Sequence, residues 1–109
     1  MLQVYTSRLW TKSPYKLDIT IKSGDKAFAP SWKMVMDYKN GVINEEEYTK
    51  QYYELMRKSY QSNRERWNEL LSQDKVVLCC YCVVGTFCHR YILAEILTKL
   101  GATYIGDVE

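Results

Sequence analysis

Apolar and polar residues alternate in two short segments near the start of the chain. Residues 2–6 alternate and are rich in β-favouring side chains, and residues 17–21 place three aliphatic side chains on one face. A period of two is typical of a strand with one buried face. The pattern therefore predicts two strands, joined by a polar loop over residues 7–15.

The middle of the chain carries two helical patterns. A proline suited to a first helical turn predicts a short helix over residues 30–39. Asn44 and Glu47 have the spacing of a capping pair, and apolar residues then recur at three- and four-residue steps as far as Leu71. This pattern predicts one long helix that supports the sheet.

The pattern in the last third of the chain predicts a strand, a helix and a second strand. An apolar run over residues 76–82, ended by Gly85, predicts a central strand buried on both faces. Residues 91–100 predict a final helix and residues 103–105 a last short strand. A right-handed crossover between them makes at least part of the sheet parallel. We expect one α/β domain over residues 1–109, a small Rossmann-like layered fold with flanking helices.

Composition and charge narrow the class of protein. Fifteen basic and thirteen acidic residues give a net charge of +2, which disfavours nucleic-acid binding by phosphate neutralisation. The first residues show no targeting pattern, and no segment approaches the roughly 20 apolar residues that span a bilayer. All four cysteines fall in residues 79–88, which is typical of reduced thiols. We expect a cytoplasmic protein that does not enter membranes.

The start of the final helix carries the candidate chemistry. If Thr86 is the N-cap, the unpaired amides that follow it, together with Arg90, form a site for phosphate or carboxylate. A helix N-terminus also lowers a thiol pKa, so Cys88 is a candidate nucleophile and His89 a candidate general acid or base. The alternatives are a buried structural thiol, a packed imidazole and a solvated arginine.

The end of the first strand supplies a second set of candidates. Ligands gather at the carboxyl ends of parallel strands, so Ser7 and Arg8 are expected to face the same crevice as the final helix. Arg8 is a candidate bidentate partner for the anion, and Asp18 a candidate to orient a base or hold Arg8. Each of these residues could equally face water.

Zinc is an alternative use of the cysteines. Cys80 and Cys82 share one strand face, and Cys88 and His89 follow the turn. The spacing is unlike a standard zinc knuckle, because Cys-x-Cys replaces Cys-x-x-Cys and adjacent helical residues diverge by about 100°. Reduced thiols without metal are therefore the default, and no cofactor is indicated. A tyrosine-phosphatase loop is also excluded, because Cys88 stands where that loop needs its arginine.

One stretch of the chain has the pattern of a family signature. Residues 78–82 (LCCYC) are followed by residues 87–90 (FCHR) and 93–95 (LAE). Supporting similarities lie in residues 5–7, 18–20 and 29–32, and at Tyr60 and Trp67. With these residues the chain resembles the bacterial and phage family catalogued as domain of unknown function 488, over close to its full length.

The resemblance implies a Rossmann-like α/β fold and marks Cys88, His89 and Arg90 as signature residues. It implies no activity. Two hypotheses remain from the sequence. The first is a domain that binds a small anionic ligand, such as a nucleotide, and that could act on it as an enzyme. The second is a phage or bacterial protein-interaction module that uses some of the ten tyrosines to contact a host protein.

Overall fold

The computed structural model describes residues 1–82 and 86–108, so the predicted strand end at Gly85 lies outside the described residues. Within those residues the elements are β1 (Gln3–Arg8), β2 (Lys16–Asp18), α1 (Trp32–Lys39), α2 (Glu45–Ser62), α3 (Arg64–Leu71), β3 (Lys75–Cys80), α4 (His89–Lys99) and β4 (Thr103–Asp107). None of these helices is long and apolar enough to cross a membrane.

The four strands form one parallel sheet in the order β2-β3-β1-β4. This confirms the predicted α/β layered fold, and every described strand pair is parallel, not only part of the sheet. The β2-to-β3 and β3-to-β4 connections advance in the same direction across the sheet. Right-handed crossovers then place α1 to α4 on the same face.

The core lies between that face of the sheet and the helices. Val4 of β1 and Val76 and Leu78 of β3 contribute from this face, because side chains alternate between the two faces of a strand. All four helices add buried residues to the cluster. Its largest fully buried members are Leu2, Val4, Ile19, Phe28, Met34, Tyr52, Trp67, Leu70, Leu78, Leu93 and Leu97.

The helix starts follow local capping chemistry. The Asn44 side chain accepts a hydrogen bond from the Glu47 amide at 2.8 Å, and the Glu47 carboxylate accepts one from the Asn44 amide at 3.2 Å. This capping box confirms the predicted start of α2. The first helix begins at Trp32 rather than residue 30, because Ser31 is extended and its hydroxyl caps the Met34 amide.

The predicted long helix is wrong in one respect, because it breaks at Asn63 into α2 and α3. Ser59 explains the break. Its hydroxyl donates to the buried Ala27 carbonyl at 2.6 Å and accepts from the Trp67 indole at 3.1 Å and from the Asn63 amide group at 3.3 Å. The turn at Asn63 brings the fully buried Trp67 to the Ser59 hydroxyl. The indole N–H of Trp67 thereby gains a hydrogen-bond acceptor.

The second predicted strand is also shorter than expected. β2 ends at Asp18, whose carboxylate accepts hydrogen bonds from the Thr20 amide at 2.9 Å and the Ser23 hydroxyl at 2.6 Å. The chain then turns so tightly that a Cβ on Gly24 would lie 2.4 Å from the Thr20 nitrogen. The Ile19 amide still donates to the Cys79 carbonyl at 3.1 Å, and beyond it local side-chain hydrogen bonds replace the predicted sheet pairing.

Ser59→Ala should lower the free energy of unfolding by about 2–3 kcal/mol, because it leaves the Trp67 indole and the Ala27 carbonyl buried without a partner. Urea denaturation measures the change. Ser62→Ala is the matched control on the same helix, since that hydroxyl is exposed and bonds only the Lys58 carbonyl. Equal losses in the two variants would contradict the role given to Ser59.

Candidate functional site

The site forms where β3 ends and α4 begins. Cys88, not Thr86, is the N-cap of α4, with an extended backbone at φ −159° and ψ 149°. Thr86 lies exposed and outside the helix. The prediction of Thr86 as N-cap is therefore wrong, because Cys88 is still extended and its side chain is buried before the helix begins. The helix therefore begins two residues later in the chain than a Thr86 cap would have placed it.

The three signature residues at this helix start, Cys88, His89 and Arg90, contact different parts of the structure. The Cys88 sulfur joins the other thiols, the His89 ring reaches the Ile19 backbone, and the Arg90 guanidinium reaches the end of β1 and the segment that follows β3. All three are buried. Sequence adjacency therefore does not make them a single ligand clamp.

Three cysteine sulfurs form a compact cluster, which we call the thiol triangle (Cys80, Cys82 and Cys88). Their sulfur atoms all lie within 4.8 Å of one another, and the Cys80–Cys82 distance is 3.8 Å. Cys80 and Cys88 are buried, whereas Cys82 is partly exposed. Cys79 is the fourth free cysteine, and it lies outside the triangle with its thiol on the Val77 carbonyl.

Hydrogen bonding within the triangle differentiates the thiols. Hydrogen bonds from Cys80 and Cys88 lower the pKa of Cys82. The hydrogen bond to Cys82 raises the pKa of Cys80, and contacts with Cys80 and then Cys82 raise the pKa of Cys88. Burial raises the pKa of the separate Cys79 thiol to about 11. The triangle therefore favours one thiolate, on the most exposed of its sulfurs. Cys82 was not singled out as a nucleophile from the sequence.

The His89 imidazole is buried and held from both sides. Its Nε2 lies 2.7 Å from the Ile19 carbonyl, and a carbonyl only accepts, so Nε2 carries the proton. Its Nδ1 lies 3.7 Å from the Cys88 sulfur. Burial lowers the pKa of His89, although the Ile19 carbonyl opposes that shift. The ring is therefore neutral near pH 7, with its Nδ1 lone pair on the side of the thiols.

Arg90 is fully buried and joins three elements. Its Nη1 donates to the Cys82 carbonyl at 2.9 Å and more weakly to the Ser7 carbonyl at 3.4 Å, and its Nη2 lies 3.4 Å from the Tyr91 hydroxyl. A guanidinium is an effective staple here because its five N–H groups point in fixed directions. Arg90 thus ties the start of α4 to the end of β1 and to the segment that follows β3.

The N-terminal candidates, Ser7, Arg8 and Asp18, contact groups other than the three thiols. Ser7 is buried in β1 and offers its carbonyl to Arg90. The Arg8 guanidinium stacks on Trp10 at 3.9 Å from the ring centre. Burial tends to raise the pKa of Asp18, but hydrogen bonds from Ser23 and Thr20 outweigh it and lower the pKa. The Asp18 carboxylate thus stabilises the turn that follows β2.

A polar network beside Arg90 was missed from the sequence. The Thr6 hydroxyl donates to Asp107 at 2.5 Å and lies 2.7 Å from the Tyr104 hydroxyl, while Tyr91 donates to Asp107 at 2.8 Å. These residues come from β1, β4 and α4. Only the pairing of β1 with β4 brings them together, so no local sequence pattern could have revealed them.

A pocket of about 420 Å³ opens over the thiol triangle, and we call it the thiol pocket. Its lining combines the three thiols and His89 with aromatic side chains and two exposed lysines. The described residues that line it are Thr20, Ile21, Lys22, Pro30, Trp32, Val35, Tyr38, Lys39, Tyr48, Cys80, Tyr81, Cys82, Phe87, Cys88 and His89.

The thiol pocket brings together only part of the predicted site. Cys88 and His89 line it, whereas Ser7, Arg8, Asp18, Thr86 and Arg90 are not among its described lining residues. The two lysines were not predictable as site residues, because Lys22 and Lys39 lie far apart in the chain and line one pocket only through the fold. The crevice therefore opens towards β2 and α1 rather than towards the end of β1.

A family model described as the active subclade of DUF488-N3, named DUF488-N3a, matches residues 1–101. The matched region includes every element from β1 to α4, and with them the thiol triangle and the thiol pocket. No curated protein and no solved structure matches the chain.

Arg90→Ala should lower the free energy of unfolding by about 3 kcal/mol, because it leaves a cavity and removes the donors to the Cys82 and Ser7 carbonyls. Arg57→Ala is the control, since Arg57 is exposed and paired only with Glu54 on its own helix, and it should show no measurable change. Chemical denaturation of both variants decides the point. Comparable stability of the two variants would remove the staple role from Arg90.

Proposed function

The chain belongs to the DUF488-N3a family, and we propose that it binds a small phosphorylated ligand, a nucleotide or a similar metabolite, in the thiol pocket. The observation that carries the proposal is the composition of that pocket. An apolar, aromatic interior with a few polar groups is the usual form of a small-ligand site. Its position at the carboxyl edge of a parallel sheet is the usual place for one.

The pocket offers separate partners for the two parts of a nucleotide. Trp32 and Tyr38 line the pocket, and aromatic rings of this kind can stack on a planar base. Lys22 and Lys39 are exposed cations on the same pocket, and they attract phosphate oxygens. Two cations with no acidic residue in the described lining favour an anion over a neutral or cationic ligand.

Chemistry on the bound ligand would fall to the groups at the inner end of the pocket. Cys82 and Cys88 supply sulfur nucleophiles, and the neutral His89 ring presents a lone pair that can accept a proton. The lysines and aromatic residues hold the ligand and do not react with it. This division of roles supports an enzyme whose thiols and imidazole act on the phosphorylated ligand.

ATP binding to the reduced full-length chain, measured by isothermal titration calorimetry, tests the proposal. ATP should bind more tightly than adenosine or inorganic phosphate, because only ATP uses both the aromatic and the cationic parts. The double variant Lys22→Ala and Lys39→Ala should weaken ATP binding by about 10-fold, since exposed ion pairs contribute up to about 1 kcal/mol each. Raising the salt concentration should reduce the same contribution.

Lys50→Ala is the matched control, because Lys50 is an exposed lysine on α2 outside the thiol pocket. It should leave ATP affinity unchanged. Native mass spectrometry of the purified protein adds an independent readout of a co-purified nucleotide. A chain that retains no nucleotide and binds neither ATP nor phosphate contradicts the proposal.

Exposed aromatic residues favour a second candidate, a protein-interaction module. Trp32 is 53% exposed and Tyr81 is 52% exposed, and both lie at the same pocket. Exposed aromatic side chains are common at the centres of protein interfaces. Under this hypothesis Trp32→Ala and Tyr81→Ala would abolish binding of a protein partner, while excess ATP would not compete with it. Competition by ATP would favour the small-ligand site.

A further inference from the structure

We propose that the thiol triangle binds a zinc ion through Cys80, Cys82 and Cys88, with the fourth coordination position open to the thiol pocket. The inference goes beyond the phosphorylated-ligand proposal and rests on separate observations, because it concerns the three sulfur atoms alone. With a metal ion held there, Cys82 and Cys88 act as ligands instead of free nucleophiles.

The distances between the sulfur atoms fit one metal ion. Tetrahedral zinc with Zn–S bonds of about 2.3 Å places its sulfur ligands about 3.8 Å apart. The Cys80–Cys82 separation is already 3.8 Å, and every separation in the triangle is within 4.8 Å. Small side-chain rotations are enough to close the remaining difference.

The fold holds the ligands on rigid elements. Cys80 is the last residue of β3 and Cys88 is the N-cap of α4, so a buried strand and a helix start fix two of the three sulfurs. Cys82 follows β3 and is partly exposed, which gives an ion a route to the triangle. Cys79, the neighbour of Cys80, points to the opposite side of the strand and is excluded from the set.

The surroundings balance the charge of such a site. Zinc binding displaces the thiol protons, so three thiolates and one Zn²⁺ carry a net charge of −1. The positive end of the α4 dipole lies at Cys88. Arg90 adds a positive charge at the Cys82 backbone, where it donates to the carbonyl at 2.9 Å. Both features favour three thiolates in a buried position.

The open fourth position distinguishes this site from a structural zinc knuckle. Structural zinc sites have four protein ligands, whereas catalytic sites keep one position for water or substrate. All three cysteines line the thiol pocket, so the free position would face its interior. The ligand class that fits there is a water molecule or an oxygen of the molecule bound in the pocket. Zinc would then act as a Lewis acid and polarise that oxygen.

Cobalt titration tests the inference on the full chain, reduced, freed of metal by a chelator and kept without nucleotide or phosphate. Co²⁺ should give thiolate-to-cobalt charge-transfer and tetrahedral d–d absorption bands that saturate at one ion per chain, and Zn²⁺ should abolish them by displacement. Cys82→Ser should weaken Co²⁺ binding by at least about 100-fold, because loss of a direct ligand exceeds the loss of an outer contact.

Cys79→Ser is the matched control, since Cys79 is a buried thiol next to a proposed ligand but outside the triangle. It should retain the cobalt spectrum and affinity of the unmodified chain. Circular dichroism of Cys82→Ser checks that the variant folds. We expect an intact fold because Cys82 is only partly buried.

Absent thiolate-to-cobalt bands, or equal cobalt affinity in Cys82→Ser and Cys79→Ser, would overturn the metal site. The ligand proposal fails separately. If cobalt does not bind but ATP affinity still depends on Lys22 and Lys39, only the zinc inference is lost. If cobalt binds and ATP does not, the zinc site stands and the phosphorylated ligand is rejected.

Discussion

The burial of Arg90 is the constraint on which the rest of the site depends. A buried guanidinium is costly unless its N–H groups meet acceptors, and here the acceptors include the Ser7 carbonyl in β1 and the Cys82 carbonyl just after β3. That requirement fixes where α4 starts relative to the sheet. The position of Cys88 follows, and with it the shape of the thiol triangle. A residue first considered as a ligand clamp therefore acts through the backbone that it joins.

The same geometry separates binding from reactivity. The lysines and the exposed aromatic side chains lie at the accessible part of the pocket, whereas Cys80, Cys88 and His89 are buried and Cys82 is partly exposed. A buried reactive group is protected from bulk water, and its protonation is set by a few defined neighbours. A zinc ion held by the triangle would strengthen this arrangement, because it would bring a reactive centre that needs no exposed side chain.

Local patterns in the sequence predicted much of the fold. The capping box at Asn44 and the apolar run of β3 report on chemistry within a few residues, and both are present in the structure. The break at Asn63 was not predictable in this way, because it depends on a hydroxyl that meets Trp67 and the distant Ala27. The candidate site divides along the same line. Cys88 and His89 were visible as neighbours in the chain, whereas the convergence of three sulfurs and two lysines required the tertiary structure.

The position of β1 in the sheet has a consequence for synthesis. β1 lies between β3 and β4, and Gln3 pairs with both Lys75 and Thr103. The central strand therefore leaves the ribosome long before either of its partners exists. Contacts so distant along the chain form slowly, and until they form the apolar face of β1 remains exposed to other nascent chains. The sheet is therefore expected to form only after β4 has been made, and β1 depends until then on whatever shields its apolar face.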